Sequence, residues 1–327
     1  MANNNANIER QKGTFFTKVP FLMRAKPMLL CVGLMVTLTA HTQHTQKIDF
    51  KSVVKYLASD SMNGRPAGTM YEKQAGNFII GQMMLTGIEP AVERYIQSFS
   101  FADEDHIVKE SCNLLGKISL DKPTTVIIGA HYDHLSEASA KSREILKRGV
   151  HNGADDNASG VAMALRLAEE IARQPDQYNH NFLFAFYSAH EVGLYGSGAL
   201  AVSQLFDSLE VALVINIDMV GRLDDFTKTV SFNCFNLGDN WSAKLDSLQL
   251  NTQLNLRVMT EKSRFSDDKV FRDRGFKTLS ITTGVHDDYH KHTDDWHRIN
   301  YRGMEQIADN ILRLLRMRSS IHQLTDK

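Results

Sequence analysis

The sequence predicts an α/β protein, in which helices cover both faces of a mostly parallel mixed sheet in a three-layer αβα arrangement. Short apolar segments read as buried strands, namely TTVIIGA, NFLFAFY, VALVINI and KTLSITT. Amphipathic segments that read as helices accompany them, among them SGVAMALRLAEEIARQ and GMEQIADNILRLLRMR. Near-continuous apolar strands that alternate with helices are typical of parallel strands buried on both faces.

The composition is that of an ordinary globular protein. The chain has 327 residues, of which 43% are hydrophobic and 23% are charged. The formal net charge of -1 gives no reason to expect a nucleic acid or an anionic membrane surface as a partner. Because no repeat or proline-rich linker interrupts the chain, residues 47–320 are predicted to form a single domain. Composition does not predict an oligomeric state.

Residues 1–43 are predicted to be an N-terminal extension that carries a secretory signal peptide. Arg24 and Lys26 precede the apolar run PMLLCVGLMVTLTA, which ends at the small residue Ala40 and is followed by polar residues. This order is typical of a cleaved signal. The run is shorter than the roughly 20 residues that span a bilayer, so an uncleaved anchor is the less favoured alternative. We therefore expect export to the periplasm or the medium, with no stable membrane span after cleavage.

Five residues of metal-binding types lie at or just after the ends of predicted strands or in a loop that opens a helix. The carboxyl ends of parallel strands meet at one edge of a sheet, so these side chains are expected to converge. Imidazole and carboxylate groups together suit zinc, and a catalytic zinc site keeps a position open for water. The sequence therefore predicts a zinc centre of the hydrolase kind, with the candidate ligands His131, Asp155, Glu191, Asp218 and His290.

Residue pattern alone leaves several of these assignments open. Asp155 and Asp156 lie directly before a predicted helix, where they either cap its N-terminus or hold two metals about 3.5–4 Å apart. Arg222 offers Asp218 an alternative salt bridge. The segment HDDYHKHTDDWH contains other histidines that compete with His290 for the ligand role, namely His286, His292 and His297.

Asp133 is a candidate to orient the ring of His131. A metal-bound imidazole needs a partner for its second nitrogen, and this partner is often a carboxylate. In the extended segment GAHYDH, residues two apart point to the same side, so Asp133 is suitably placed. A His-x-Asp pattern is a weak signal when it stands alone.

Five motifs together resemble, in the same order, those of the di-zinc aminopeptidases of metallopeptidase family 28: GAHYDH, NGADDNASG, EVGLYGS, NIDMVGR and DYHKHTDD. The resemblance covers about residues 47–317. It implies the zinc-exopeptidase fold, two Zn²⁺ ions, and hydrolysis of N-terminal residues from peptides with a free N-terminus. It also implies the ligand sets: His131 and Asp218 for one zinc, Glu191 and His290 for the other, Asp155 as the bridge, and Asp133 behind His131.

The chain departs from the family at His190. The family normally has two consecutive glutamates where this chain has His190-Glu191, and the first of them is the general base. His190 and Asp133 are therefore the candidate catalytic residues beside the metal ligands. Imidazole is a competent base near neutral pH, but a protonated imidazole is disfavoured beside two dications. We expect a slowed enzyme in which His190→Glu raises turnover.

Two other functions remain open at this point. The substitution at His190 also suits a catalytically inactive, zinc-containing homologue that binds peptides. A glutaminyl-peptide cyclotransferase shares the fold, uses one zinc, and forms pyroglutamate without hydrolysis. The motifs GADDNASG and EVGLYGS look like the peptidase versions, which favours the aminopeptidase.

Overall fold

The computed structural model describes residues 47–103, 105–137, 139–144, 149–237, 253–260 and 266–317. The predicted signal segment lies outside these ranges, and the division into residues 1–43 and 47–320 stays a prediction. Across the described residues, no helix combines the length and the apolar character needed to cross a bilayer.

The described residues form a nine-stranded sheet together with seven α-helices. The strands are β1 (Glu89–Pro90), β2 (Ile96–Ala102), β3 (Val108–Ile118), β4 (Thr125–His131), β5 (Asn181–Tyr187), β6 (Val211–Ile217), β7 (Thr229–Phe235), β8 (Asn255–Met259) and β9 (Thr278–Thr282). The helices are α1 (Phe50–Leu57), α2 (Met70–Leu85), α3 (Gly160–Arg173), α4 (Tyr195–Ala201), α5 (Gln204–Asp207), α6 (Asp268–Asp273) and α7 (Tyr301–Arg316).

The sheet is mixed, and its centre is parallel. The strand order is β1-β3-β5-β4-β6-β9-β7-β8, with β2 also paired to β3. Strands β5, β4, β6 and β9 run parallel to their neighbours in this central block. Strands β3 and β7 join it antiparallel on either side. The prediction of an α/β fold with a mixed sheet is confirmed, and the four predicted apolar strands are those of the central block.

Both faces of the central strands are covered by apolar side chains. Along β5, Phe182, Phe184 and Phe186 point into one core cluster, which also receives side chains from α1, α2, α3 and α7. The intervening Leu183 and Ala185 point into a second cluster with residues of α4, α5 and α6. The alternation has the period of two that a strand imposes on its side chains. It explains why these strands are apolar throughout rather than at every second residue.

Candidate metal centre

The site lies at the carboxyl ends of the central parallel strands. His131 is the last residue of β4, and Asp218 follows β6 directly. Glu191 lies in the turn after β5, and His290 lies in the loop after β9. Because the strands are parallel, their ends bring these side chains to one edge of the sheet, as the sequence predicted.

The two imidazoles present the same nitrogen to the site. His131 Nδ1 lies 3.1 Å from the carbonyl oxygen of Asp133, and His290 Nδ1 lies 3.0 Å from that of Lys141. A carbonyl only accepts, so each Nδ1 carries a hydrogen, and Nε2 is the nitrogen that could ligate a cation in the neutral imidazole. Both Nε2 atoms face one carboxylate, that of Asp156, with His131 3.2 Å from Oδ1 and His290 3.2 Å from Oδ2.

One further carboxylate flanks each imidazole. Asp218 Oδ1 lies 3.7 Å from His131 Nε2, and Glu191 Oε1 lies 3.5 Å from His290 Nε2. The side chains thus form two groups, one on each side of Asp156. His131 thus lies with Asp218, and Glu191 lies with His290. Arg222 pairs with Asp288 at 2.6 Å, so the alternative salt bridge to Asp218 is not formed.

The structure corrects the expected position of Asp155. Its Oδ1 accepts the backbone N–H of Gly221 at 2.6 Å and the hydroxyl of Ser159 at 2.9 Å. Its Oδ2 lies 3.1 Å from Nε2 of His286. The backbone leaves helical geometry at Asp156, so the two adjacent side chains turn toward different partners. Asp156, and not Asp155, lies between the two imidazoles.

Asp294 holds this loop in place. Its carboxylate accepts the backbone N–H of Asp155 at 2.9 Å and that of Asp156 at 3.1 Å. Its carbonyl accepts the N–H of Ala154 at 3.1 Å. Burial, reinforced by the negative charge of Asp155, raises the pKa of Asp294 to about 7. Sequence analysis missed this role, because a side chain that caps a distant backbone leaves no local pattern.

Asp133 positions the segment that carries the candidate base. Its carboxylate accepts the backbone N–H of His190 at 3.1 Å and that of Glu191 at 3.2 Å. The carboxylate lies 3.8 Å from His131 Nδ1, farther than the carbonyl oxygen of the same residue. Burial raises the pKa of Asp133 to about 6, although the neighbouring imidazoles oppose the shift. Asp133 therefore ties the ends of β4 and β5 together.

His190 lies beside His131 and contacts Asp267. Its ring stacks on that of His131, with centroids 3.7 Å apart, and its Nδ1 lies 2.8 Å from Oδ2 of Asp267. Burial and His131 lower the pKa of His190, but the charges of Asp267 and Glu191 outweigh them and the net shift is upward. His190 is 9% exposed, whereas His131 is 0% exposed. Asp267, in the segment FSDD, was not recognised as a site residue from the sequence.

His134 also lies in the cluster and was not recognised as a site residue. Its Nδ1 is 3.2 Å from Glu191 Oε1 and 3.8 Å from Asp156 Oδ2. Burial lowers the pKa of His134, although Glu191 and Asp156 oppose the shift. The signal for it was its place in GAHYDH, directly after Asp133.

The charges in the cluster complement one another. Burial lowers the pKa of His290, but the facing carboxylates of Asp156 and Glu191 outweigh burial and raise it to about 10. Burial raises the pKa values of Asp156 and Glu191, whereas the neighbouring imidazoles lower them. The net shift of the pKa is downward for both carboxylates. Asp156 and Glu191 therefore stay ionised, which is the state in which they ligate a cation.

The donor atoms fit zinc. Within the described ranges, His131 Nε2, Glu191 Oε1 and His290 Nε2 are buried and have no hydrogen-bond partner. Other polar atoms lie near them, but the contacts do not have hydrogen-bond geometry. Buried polar atoms without partners are costly, and imidazole nitrogens with carboxylate oxygens are a zinc-binding combination. The residues present therefore suit the metal that the sequence predicted.

The sequence matches a peptidase family and several known proteins. The profile of peptidase family M28 matches residues 113–315, more than half of the chain. The alkaline phosphatase isozyme conversion protein of Escherichia coli (strain K12) is 25% identical over 204 residues, which are 60% of this chain and 58% of that protein. The chain thus matches little more than half the length of this relative.

Two solved structures show the same fold. A Zn-dependent exopeptidase from Parabacteroides distasonis ATCC 8503 superposes with a TM-score of 0.65 at 18% identity, covering 83% of this chain and 97% of that one. A glutaminyl cyclase from Bacteroides thetaiotaomicron, bound to N-acetylhistamine, superposes with a TM-score of 0.65 at 16% identity, covering 82% and 97%. At these identities the likeness extends to the fold alone.

Proposed function

The chain belongs to peptidase family M28, and on that basis we propose that it is a zinc-dependent aminopeptidase that removes N-terminal residues from peptides. The observation that carries the proposal is the carboxylate of Asp156 between two imidazole nitrogens, 3.2 Å from each. In this proposal the site would hold two zinc ions, and Asp156 would contribute to both. His131 and Asp218 would hold one of them, and Glu191 and His290 would hold the other.

The ligand set leaves the centre positively charged. Zinc bound there would acidify a water molecule and polarise the carbonyl of the substrate. Asp156, Glu191 and Asp218 bring three negative charges, and the imidazoles of His131 and His290 ligate in the neutral form. Three negative charges do not neutralise two dications, so the residues leave an attraction for a substrate oxygen.

His190 is the proposed general base. Asp267 accepts the hydrogen on His190 Nδ1, so the other nitrogen, Nε2, keeps the lone pair that takes a proton from water. The resulting imidazolium is disfavoured near two dications, but the Asp267 carboxylate 2.8 Å away offsets part of that cost. His190 then returns the proton to the leaving amine. Asp133 acts through the backbone of residues 190 and 191 and is a positioning residue.

The substrate and the location follow from the family and the N-terminal pattern. We propose peptides with a free N-terminus as substrates and export of the chain, directed by the apolar run 27–40 behind Arg24 and Lys26.

Two other functions have specific support. A glutaminyl cyclase shares the fold. If this chain had that function, it would form pyroglutamate from N-terminal glutamine. An inactive zinc-containing peptide-binding protein is suggested by the histidine at position 190. The two ligand groups around Asp156 favour a two-zinc peptidase over a one-zinc cyclase, and the His190–Asp267 pair favours a working base over an inactive site.

The test is a turnover assay of the mature chain loaded with zinc. The substrates are peptides with free N-termini and the same peptides N-acetylated, and the products are read by mass spectrometry. Stepwise loss of N-terminal residues from the free peptides alone, abolished by a chelator, is the expected result. Intact peptides despite stoichiometric zinc would overturn the proposal in favour of the binding protein. Loss of ammonia from N-terminal glutamine without cleavage would identify the cyclase.

A further inference from the structure

We infer that His134 is a fourth protein ligand, through Nδ1, of the zinc held by Glu191, His290 and Asp156. This inference rests on the two-zinc centre of the proposed function. It adds a ligand outside the five predicted ones, and it makes the two metal sites unequal.

The first support is the spacing of the donor atoms. His134 Nδ1 lies 3.2 Å from Glu191 Oε1 and 3.8 Å from Asp156 Oδ2. His290 Nε2 lies 3.2 Å from Asp156 Oδ2 and 3.5 Å from Glu191 Oε1. Zinc bonds of 2.0–2.2 Å in a tetrahedron place neighbouring ligand atoms roughly 3.3–3.6 Å apart. These four distances lie around that spacing, and His134 closes the ring of donors.

The second support is the direction of the imidazole nitrogens. His134 is 2% exposed, and neither of its ring nitrogens forms a hydrogen bond with any described residue. Nδ1 is near Glu191 Oε1, yet the contact lacks hydrogen-bond geometry. Glu191 Oε1 and His290 Nε2 share this property. Buried polar atoms without partners are costly, and one cation bound among these three atoms would give each of them a partner.

The neighbouring backbone keeps His134 in place. A Cβ added at Gly153 would lie 2.5 Å from ring carbons of His134, so only glycine leaves room for the ring there. Gly153 also has a φ of +56°, which L side chains rarely adopt. The loop that delivers Asp156 is thus built around the ring of His134.

The two metals would then have different roles. Closed tetrahedral zinc sites are structural, whereas catalytic sites keep a position open. With His134 bound, the Glu191 site is closed by four protein ligands. At the other site the proposed ligands are His131, Asp156 and Asp218. The further donor that lies with them, His190, is paired with Asp267 and serves as the proposed base. We therefore assign the exchangeable, reacting metal to the His131 site.

Alternatively, His134 orients Glu191 without touching the metal. Substitution of a residue that only orients a metal ligand typically weakens metal affinity by 10–100-fold, so the loss of a ligand itself is expected to weaken affinity by more than that. Zinc affinity is measured by competition with a chromophoric chelator for the wild type and His134→Asn. The control is His180→Asn, a buried histidine whose Nδ1 contacts Thr124 Oγ1 at the opposite end of β5.

The expected result is that one of two sites weakens by more than about 100-fold in His134→Asn, while His180→Asn matches the wild type. A weakening of about 100-fold or less would overturn the inference. A wild type that binds no zinc would overturn the proposed function as well, so the two failures are distinguishable.

A second measurement needs no folded variant. Long-range ¹H–¹⁵N spectra of the wild type, labelled at histidine, report which ring nitrogen of each histidine changes on zinc loading. The expected result is a metal-bound shift for Nδ1 of His134 and for Nε2 of His131 and His290. A His134 ring whose nitrogens do not change between the zinc-free and zinc-loaded protein would overturn the inference.

Discussion

Adjacent residues with the same side chain have different roles in the centre. Asp155 is surrounded by donors from Gly221, Ser159 and His286, so its carboxylate is satisfied inside the protein. Asp156 instead faces the nitrogens of two imidazoles. The difference comes from the backbone turn at Asp156 rather than from any property of the side chains.

This difference predicts opposite zinc contents for a matched pair of substitutions. Asp156→Asn removes the negative charge that both metal sites share. We expect zinc affinity to weaken by at least about 100-fold, because losing a ligand costs more affinity than losing a residue that only orients a ligand. Asp155→Asn keeps an oxygen for Gly221, and we expect two zinc ions per chain with reduced thermal stability. Zinc is measured by atomic emission after dialysis. A zinc-free Asp155→Asn beside a zinc-loaded Asp156→Asn would reverse the assignment.

The pair His190–Asp267 changes the expectation for a glutamate at position 190. A single His190→Glu places a carboxylate beside Asp267, and like charges at such a distance disfavour ionisation of one of them. We therefore expect His190→Glu with Asp267→Asn to turn over faster than His190→Glu alone. With wild-type zinc content confirmed for each, kcat on one peptide is the measurement. Equal kcat values for the single and double variants would contradict the coupling.

Removal of the base itself gives the scale for this comparison. General base catalysis contributes roughly 10²–10⁴-fold to a rate, so His190→Ala is expected to lose about that much in kcat while it keeps its zinc. A His190→Ala variant with wild-type kcat would show that another group takes the proton.

At the scale of elements, one buried arginine joins the segments that carry the site. Arg65 donates to the carbonyls of Leu57 at the end of α1, Tyr132 after β4, and Asn152 and Gly153 before the Asp156 turn. These four bonds are 2.7–2.8 Å long. Burial lowers the pKa of Arg65 to about 10, against the opposing pull of the site carboxylates, so the guanidinium stays charged at neutral pH.

Loss of Arg65 is expected to be strongly destabilising. Arg65→Met leaves four carbonyls without their donor and removes a buried positive charge near the carboxylates, and we expect a fall of about 3–5 kcal/mol in the free energy of unfolding. The control is Arg173→Met, whose half-exposed pair with Glu170 is expected to contribute within about 1 kcal/mol. Urea denaturation gives both values. Similar effects of the two substitutions would contradict the role given to Arg65.

The elements differ in how far the sequence predicted them. NFLFAFY and VALVINI match β5 and β6 residue for residue, because a strand buried on both faces has an apolar segment with clear ends. The antiparallel pair β2 and β3 was not predicted as such, since IQSFSFA and VKESCNLLGKI mix polar and apolar residues. Pairing direction depends on tertiary contacts that a single segment does not record.

The ligands at strand ends could be predicted from the sequence. The ligand in the loop before α3 could not, because two adjacent aspartates are equally plausible there. His131, Glu191 and Asp218 lie at or shortly after the ends of parallel strands, so their convergence follows from topology. The choice between Asp155 and Asp156 depends on local dihedral angles. The contact of Asp267 with His190 depends on a long-range approach, which leaves no mark in the spacing of residues.

At the scale of the whole molecule, the centre joins segments that are far apart in the chain. Ligands come from the ends of β4, β5 and β6, from the turn before α3, and from the loop after β9. A metal that binds all of them bridges long loops, and its binding free energy adds to folding stability. Without a cation, the same carboxylates and imidazoles remain buried at an energetic cost.

Removal of zinc is therefore expected to lower the thermal midpoint of the whole domain. Zinc at 100 times its Kd stabilises by about 2.7 kcal/mol per site, and for a domain of this size each kcal/mol shifts Tm by roughly 2–4 °C. We expect a chelator to lower Tm by more than about 5 °C and stoichiometric zinc to restore it. Magnesium, which prefers oxygen ligands, should not restore it. Asp156→Asn is the control, because its Tm should not respond to the chelator. An unchanged wild-type Tm after complete zinc removal would show that the centre does not contribute to the stability of the fold.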